Sequence, residues 1–278
     1  MPELPEVEHA RAQTERWLRG QRLDEARSFD ALVVVDPEAF EGLRGATVEG
    51  VHRRGKHLLL RTTDGRALWF HLGMTGHVHA LPASGPIAEA ALPRFSRWAL
   101  RTPKLVVALT DPRRLGRAHA GPASAIEAAH LGRLGPEATA ASSELLASVL
   151  DTRLPLKAAL MDQARLAGLG NIHAAEALFL AGLHPERPSS SLRVAERERL
   201  AAAIREALER AVVPPEEDLV YVNEGGPNPF LVYGREGEPC TVCGGAIGRV
   251  TTAGRSTYFC PRCQPRRPKS QAKTARSR

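Results

Sequence analysis

Four cysteines constrain this chain more than any other feature. They read Cys240-x2-Cys243-x16-Cys260-x2-Cys263, and the chain has no other cysteine. Each Cys-x2-Cys pair forms a turn that offers two thiolates to one tetrahedral ion. Four sulfur ligands close the coordination shell, so the expected metal is one structural Zn2+ rather than a catalytic one. Two disulfides or idle thiols are the alternative, and in a reducing compartment clustered thiols are more often metal ligands. A ribbon this small draws much of its folding energy from the metal. Between the pairs lie Arg249, Arg255, Thr257 and Tyr258. A β-hairpin with an arginine near its tip suits contact with phosphate. Zinc ribbons are common, so the ribbon alone names no function.

The rest of the chain divides by its apolar pattern. Residues 5–19 predict a helix, with Pro5 and Glu6 at its start and Val7, Ala10, Thr14, Trp17 and Leu18 at helical spacing. From 22 to 116 short apolar runs alternate with turns, as in Leu58-Leu59-Leu60, Asp64-Gly65 and Leu68-Trp69-Phe70, which predicts an antiparallel sheet or sandwich. The Pro- and Ala-rich stretch 82–94 reads as a surface loop. Residues 123–213 read as helices opened by Ser142-Ser143-Glu144, Pro155 and Asn171, with a long one over 194–212. Residues 214–238 are a loop rich in Pro, Gly and acid. The tail after 264 carries six basic residues and no acid, and is expected to be disordered.

With 278 residues, 43% of them hydrophobic, the chain is long enough for two ordinary domains. The start has no apolar run and no stretch approaches the roughly 18 residues needed to span a bilayer, so a cytoplasmic protein without a signal peptide is expected. Lys and Arg exceed Asp and Glu by seven, a balance that favours a polyanionic partner, nucleic acid first. A glycine-rich turn, Gly168-Leu169-Gly170-Asn171, precedes a predicted helix, and the free backbone N–H groups there can hold a phosphate.

Six motifs occur in one order: the start Met1-Pro2-Glu3-Leu4-Pro5-Glu6-Val7-Glu8, the pair Gly55-Lys56 before an apolar strand, His71-Leu72-Gly73-Met74-Thr75-Gly76, Asp111-Pro112-Arg113-Arg114, the Gly168–Asn171 turn and the four-cysteine ribbon. In this the chain resembles the formamidopyrimidine-DNA glycosylases over nearly its whole length. The related endonuclease VIII group shares the start, the turn and the ribbon. The resemblance implies an α+β fold. A two-layered antiparallel β-sandwich with the leading helix spans 1–122, a helical helix-two-turn-helix domain 123–238, a β-hairpin zinc ribbon 239–264, and a basic tail 265–278. Damaged double-stranded DNA would lie in the cleft between the two main domains, bound by a monomer without organic cofactor or membrane partner.

The chemistry can be argued beside the resemblance. Trimming of Met1 would expose Pro2 as a secondary amine, and an α-amino group titrates near pH 8, so a useful fraction is neutral. That amine can attack C1′ of the sugar and expel the base, leaving a covalent iminium. The iminium acidifies C2′–H, so β- and then δ-elimination can nick the strand. Glu3 fits a proton donor to the sugar ring oxygen. The resemblance implies that Lys56 lies near the lesion, that Arg255 acts on flanking phosphates and in the final elimination, and that Glu6 lines the lesion pocket. Glu6 equally suits a helix N-terminus. It further implies that Met74 fills the gap left by the flipped base, with core packing as the alternative fate, and that Arg113 pairs with the orphaned partner base. Asn171, Arg153 and Lys157 would contact the DNA backbone.

Four features depart from the family pattern. Leu115 replaces the wedge aromatic, Phe95 a histidine, and His173 a tyrosine, while the stretch before Val232-Tyr233-Gly234-Arg235 is shorter and richer in Pro. These leave three readings. The first is a bifunctional glycosylase and AP lyase for oxidised or ring-opened purines. The second is an endonuclease VIII-like enzyme for oxidised pyrimidines or abasic sites. The third, from another class, is a zinc-ribbon DNA-binding protein without catalysis, which the joint presence of Pro2, Glu3 and Lys56 argues against.

Overall fold

The computed structural model describes residues 2–214 and 228–266. Most of the 214–238 loop and the basic tail from 267 onward lie outside the described residues. Helix α1 (Leu4–Leu18) starts one residue earlier than the sequence predicts, because Glu3 rather than Leu4 caps it. Glu3 and Glu6 form a reciprocal capping box, with the Glu3 N–H donating to Glu6 Oε2 at 2.8 Å. Val7, Ala10, Thr14 and Leu18 fall on the buried face of α1, as their spacing requires.

Eight strands follow in the first part of the chain: β1 (Glu25–Ser28), β2 (Val48–Arg54), β3 (His57–Thr62), β4 (Arg66–His71), β5 (His77–Pro82), β6 (Ser96–Arg101), β7 (Leu105–Thr110) and β8 (Arg117–Pro122). They make two four-stranded antiparallel sheets, ordered β1-β6-β7-β5 and β2-β3-β4-β8. The short helix α2 (Pro37–Glu41), capped by Asp36, precedes β2. Leu58 pairs with Phe70 and Leu60 with Leu68 in one sheet, while Trp98 pairs with Leu109 and Leu100 with Val107 in the other. All eight side chains lie in one buried core with α1, and the rings of Phe70 and Trp98 meet edge to face at 5.4 Å.

The apolar run Leu58-Leu59-Leu60 has no alternation because β3 is covered on both faces. Leu59 turns away from that core and packs with Trp69 and Ala67 against Ile126 of α3 (Ala123–His130). The expected loop at 82–94 is exposed over most of its length beyond β5.

The later part is helical, with α4 (Ser143–Val149), α5 (Leu156–Met161), α6 (Asn171–Leu180) and α7 (Val194–Glu209). Ser142 caps α4 by accepting from the Leu145 N–H at 3.1 Å. Strands β9 (Gly248–Thr252) and β10 (Arg255–Phe259) pair as the expected hairpin. Contacts divide the chain into two compact units that cross its linear order. One gathers Met1–Ala140, Met161–Gly170 and the stretch from Leu208; the other gathers Ala141–Leu160, Asn171–Ala207 and the chain from 228 on. No helix among the described residues is long and apolar enough to cross a membrane.

Candidate active site

In the first unit, residues distant in sequence converge on the chain start. Pro2 is buried and Glu3 fully so. The Glu3 carboxylate accepts from the Gly170 N–H at 3.1 Å. A Cβ added at Gly170 would lie 2.3 Å from the Glu3 carboxyl carbon and 2.6 Å from Lys56 Nζ. The carboxylate next to Pro2 and the lysine ammonium therefore share the space that a side chain at 170 would occupy. Glu6 is half-buried, and its carboxylate is engaged by the capping box.

Two side chains that the sequence did not single out shape this corner. Glu137 accepts from the Gly55 N–H at 2.6 Å, from Arg53 at 2.7 Å and from Arg54 at 2.9 Å, which pins the turn that carries Lys56. Burial works to raise the Glu137 carboxyl, but the Arg53, Gly55 and Arg54 hydrogen bonds outweigh it and hold it below its ordinary value. Gly55 occupies the left-handed region with φ 57°. Gln163 braces the second turn. Its amide donates to the carbonyls of Met161 and Leu169, both at 2.8 Å, and its Oε1 accepts from the Gly168 N–H at 2.9 Å. No spacing marks Glu137 or Gln163: Glu137 meets the Gly55 turn and its flanking arginines only in the fold, and Gln163 braces nearby backbone that no residue pattern announces.

Beside Lys56, a row of histidines crosses the outer face of β3 and β4. His71 Nδ1 accepts from the Gly73 N–H at 3.0 Å, and His57 Nδ1 accepts from the Trp69 indole at 3.1 Å. Burial, with His71, His130 and Lys56 nearby, lowers His57 to about 4. Burial and Lys56 lower His71 to about 4 as well. Both rings are neutral near pH 7, as their acceptor roles require.

The two loops expected to meet opened DNA pack backbone on backbone. Gly73, at φ 64°, is so close to the neighbouring loop that a Cβ there would lie 2.5 Å from the Gly116 nitrogen and the Leu115 carbonyl carbon. Buried Asp111 ties the loops together, accepting from the Thr75 hydroxyl, from the Gly116 N–H at 2.7 Å and from the Arg113 N–H at 3.3 Å. Met74 is exposed, which disposes of core packing, and Arg113 and Leu115 are exposed beside it.

In the second unit the four cysteine Sγ atoms lie within 4.8 Å of one another, with 3.8 Å between Cys240 and Cys263 and 3.5 Å between Cys243 and Cys260. An ideal tetrahedron with zinc–sulfur bonds of about 2.3 Å needs sulfurs about 3.8 Å apart. The thiols are free of disulfides. Burial works to raise Cys240, but the backbone N–H groups of Cys243 and Val242 bring it down to about 7, while burial and neighbouring thiols push Cys260 upward. Four thiolates this close require a cation, and the donor set fits structural zinc. The Cys260 carbonyl accepts from the Gln264 N–H, and the Cys260 N–H donates to Gln264 Oε1, so Gln264 clamps the second knuckle.

Arg255 is exposed at the first residue of β10, next to the hairpin turn, and Arg153 is exposed ahead of α5. Asn171 begins α6. Its Nδ2 donates to the Tyr233 hydroxyl at 3.4 Å, while its Oδ1 is buried without a partner. His173 is buried on α6, edge to face with Phe230 at 6.4 Å. Lys157 requires a correction. It was expected on the DNA backbone, yet it is 1% exposed and donates to the Ser256 carbonyl at 3.1 Å and the Thr257 hydroxyl at 3.0 Å. A buried ammonium with those acceptors fastens α5 to the hairpin strand that bears Arg255.

Three family models match in the order of the chain: the formamidopyrimidine-DNA glycosylase N-terminal domain over residues 1–118, the formamidopyrimidine-DNA glycosylase H2TH domain over 134–218, and the zinc finger found in FPG and IleRS over 237–266. The formamidopyrimidine-DNA glycosylase of Pelobacter propionicus is 40% identical over 281 residues, and that of Geobacter metallireducens 37% over 284; each match covers 95% of this chain and all of the relative. The Lactococcus lactis Fpg (MutM), solved with DNA containing Fapy-dG, superposes with a TM-score of 0.83 at 29% identity, over 95% of this chain and all of that one. The chain thus belongs to the formamidopyrimidine-DNA glycosylase family.

Proposed function

We propose that this protein is a bifunctional DNA glycosylase and AP lyase of base excision repair, which removes oxidised or ring-opened purines and then nicks the strand. The observation that carries the reading is the meeting of the Glu3 carboxylate and the Lys56 ammonium at Gly170, one residue from Pro2. With Met1 removed, the neutral Pro2 nitrogen attacks C1′ and the glycosidic bond breaks, so the base departs with the bonding pair. Glu3 gives a proton to the sugar ring oxygen as the ring opens, which leaves an iminium on Pro2. Loss of a C2′ proton then expels the 3′ phosphate, and a second elimination expels the 5′ phosphate. Lys56 offers a proton and a positive charge beside the lesion, and Arg255 offers charge to the flanking phosphates. Zinc holds the hairpin that carries Arg255 and takes no part in these steps. The protein works wherever the DNA is held.

Borohydride trapping on a duplex with an abasic site tests this reading. An iminium reduced in place leaves protein and DNA covalently joined, and the cross-link is expected with the mature chain and absent with Pro2→Gly. A duplex that is bound but never trapped would support the non-catalytic binder instead.

One observation favours a second preference within the same class. Leu115 is 42% exposed beside Met74, and its aliphatic side chain has no π-face with which to support extrusion of a well-stacked base. Abasic and ring-opened lesions are then the better substrates.

A further inference from the structure

A cleft of about 430 Å³ lies on the outer face of the first unit, between α3 and the strands β2 and β3. Strand order puts β2 at the edge of its sheet, while α3 packs mainly over β4 and β8. The seam between the helix and the edge strand is therefore left unfilled. Directly opposed residues of antiparallel strands share a face. His52 lies opposite Leu59, and Gly50 opposite Arg61, so this face carries an apolar side chain among basic ones. Leu59 and Leu131, which belong to the small apolar cluster of Trp69 and Ile126, supply the apolar lining together with Ala128. Small-molecule sites typically measure roughly 300–1,000 Å³ and combine such a lining with a few polar groups.

The charged lining is Arg53, Arg54, Arg61 and Glu127. Arg53 is spent on Glu8, Glu137 and the Gly55 carbonyl. Arg54 is spent on Glu137 and the carbonyls of Leu134 and Gly135. Arg61 differs from both. Its Nη2 donates to Glu127 at 2.6 Å, while its Nε is buried with no hydrogen-bond partner. A buried donor left unpaired costs about 1–3 kcal/mol, which an acceptor from outside the chain would recover in part. A carboxylate meets a guanidinium through two donors at once. Glu127 beside Arg61 weighs against a doubly charged phosphate and leaves a single negative charge as the better match. The cleft is lined by neither Glu3, Gly170 nor the Met74 loop, so it is separate from the catalytic corner. Arg54 is the wall between them, since it also holds the Glu137 that pins the Gly55 turn.

We propose that this cleft binds a small organic anion, an apolar ring body carrying one carboxylate, with the body on Leu59 and Leu131 and the carboxylate on Arg61. The proposal stands apart from the repair reading, since nothing in it uses Pro2, Glu3 or Lys56. The test titrates the full mature chain with 2-naphthoate and with 2-naphthamide, followed by protein chemical shifts in about 0.15 M salt, which screens the net charge. Naphthoate should saturate one site with a Kd of about 1 mM or tighter, as suits a ligand of this size. The amide has the same shape without the charge and should bind about tenfold more weakly. Arg61→Gln should weaken naphthoate about tenfold and erase the difference between acid and amide. Ala128→Phe fills the cleft from α3 and should abolish binding of both. Arg113→Gln removes a guanidinium outside the cleft and should bind naphthoate like wild type. Unfolding midpoints and zinc content confirm that each variant is folded. The proposal is overturned by the lack of a saturable site in wild type, by equal affinity for acid and amide, or by wild-type affinity in a folded Ala128→Phe. An equal loss in Arg61→Gln and Arg113→Gln also overturns it, because the anion would then be held by overall charge.

Discussion

The geometry around Glu3 and Lys56 leaves no room for a side chain at Gly170. A methyl group there would sit 2.3 Å from the Glu3 carboxyl and 2.6 Å from Lys56 Nζ, closer than non-bonded atoms come. One of the two side chains must leave, or the turn must move. Displacements of about 1 Å at a reacting centre cost on the order of 100-fold in rate. Gly170→Ala is accordingly expected to slow excision of a ring-opened purine about 100-fold, with the zinc content and unfolding midpoint of wild type. Single-turnover rates measure it, and a rate within a few-fold of wild type would show that Glu3 and Lys56 are not held where the chemistry needs them. Pro2→Gly is expected to lose most base excision, as is a chain that retains Met1. Intact mass together with a nicking assay checks both, since full activity with Met1 in place would remove the amine mechanism.

At the scale of elements, two devices hold the loops and hairpin in place. The four cysteines should carry one zinc per chain by elemental analysis. Stripping it is expected to weaken DNA binding while leaving Pro2 as nucleophilic as before, and retention of full affinity by the metal-free chain would contradict a structural role. The histidine row under the Met74 loop gives a pH dependence. His57 and His71 fall to about 4 in the folded chain, from an ordinary 6.5. Between those values the unfolded chain binds more protons, so stability is full above pH 6.5 and drains as pH falls toward 4. Each ring contributes up to about 3 kcal/mol at the conversion of 1.36 kcal/mol per pK unit. His71→Asn keeps an acceptor for the Gly73 N–H without a titrating ring, and should flatten this dependence in urea unfolding at pH 7 and pH 4.5. An unchanged slope would assign it elsewhere. Much at this scale could be read from sequence, because periodicity, Ser142 and the cysteine spacing act locally. Glu137 escaped that reading because the Gly55 turn and its flanking arginines reach it only in the fold, while Gln163 and Asp111 brace largely nearby backbone groups that no residue pattern announces. Lys157 misled it for the opposite reason: a lysine at a DNA-binding place in the family pattern is here a buried strut, and burial is not written in a single residue's identity.

For the whole molecule, charge and selectivity are separate problems. The formal net charge of +7 gives attraction to any duplex, and contacts to phosphate carry no information about the lesion. Selectivity must come from the difference in cost between extruding one nucleotide and another. An abasic site has no base to unstack, and a ring-opened purine stacks and pairs poorly. 8-Oxoguanine opposite cytosine remains paired and stacked, so it relies most on what fills the gap. On the proposed reading that filling is Met74, Arg113 and Leu115, and base–aromatic stacking worth about 1–3 kcal/mol is missing at 115. The expected order of single-turnover rates is therefore abasic and formamidopyrimidine DNA fast, and 8-oxoguanine opposite cytosine slow. Leu115→Phe should raise the slow rate and leave the fast ones nearly unchanged. Added salt should weaken binding of all three duplexes alike while the ratio of rates at saturating enzyme persists, because phosphate contacts are common to them. Equal rates on the three substrates, unaltered by the substitution, would remove Leu115 as the determinant and turn attention to the shortened stretch before Val232.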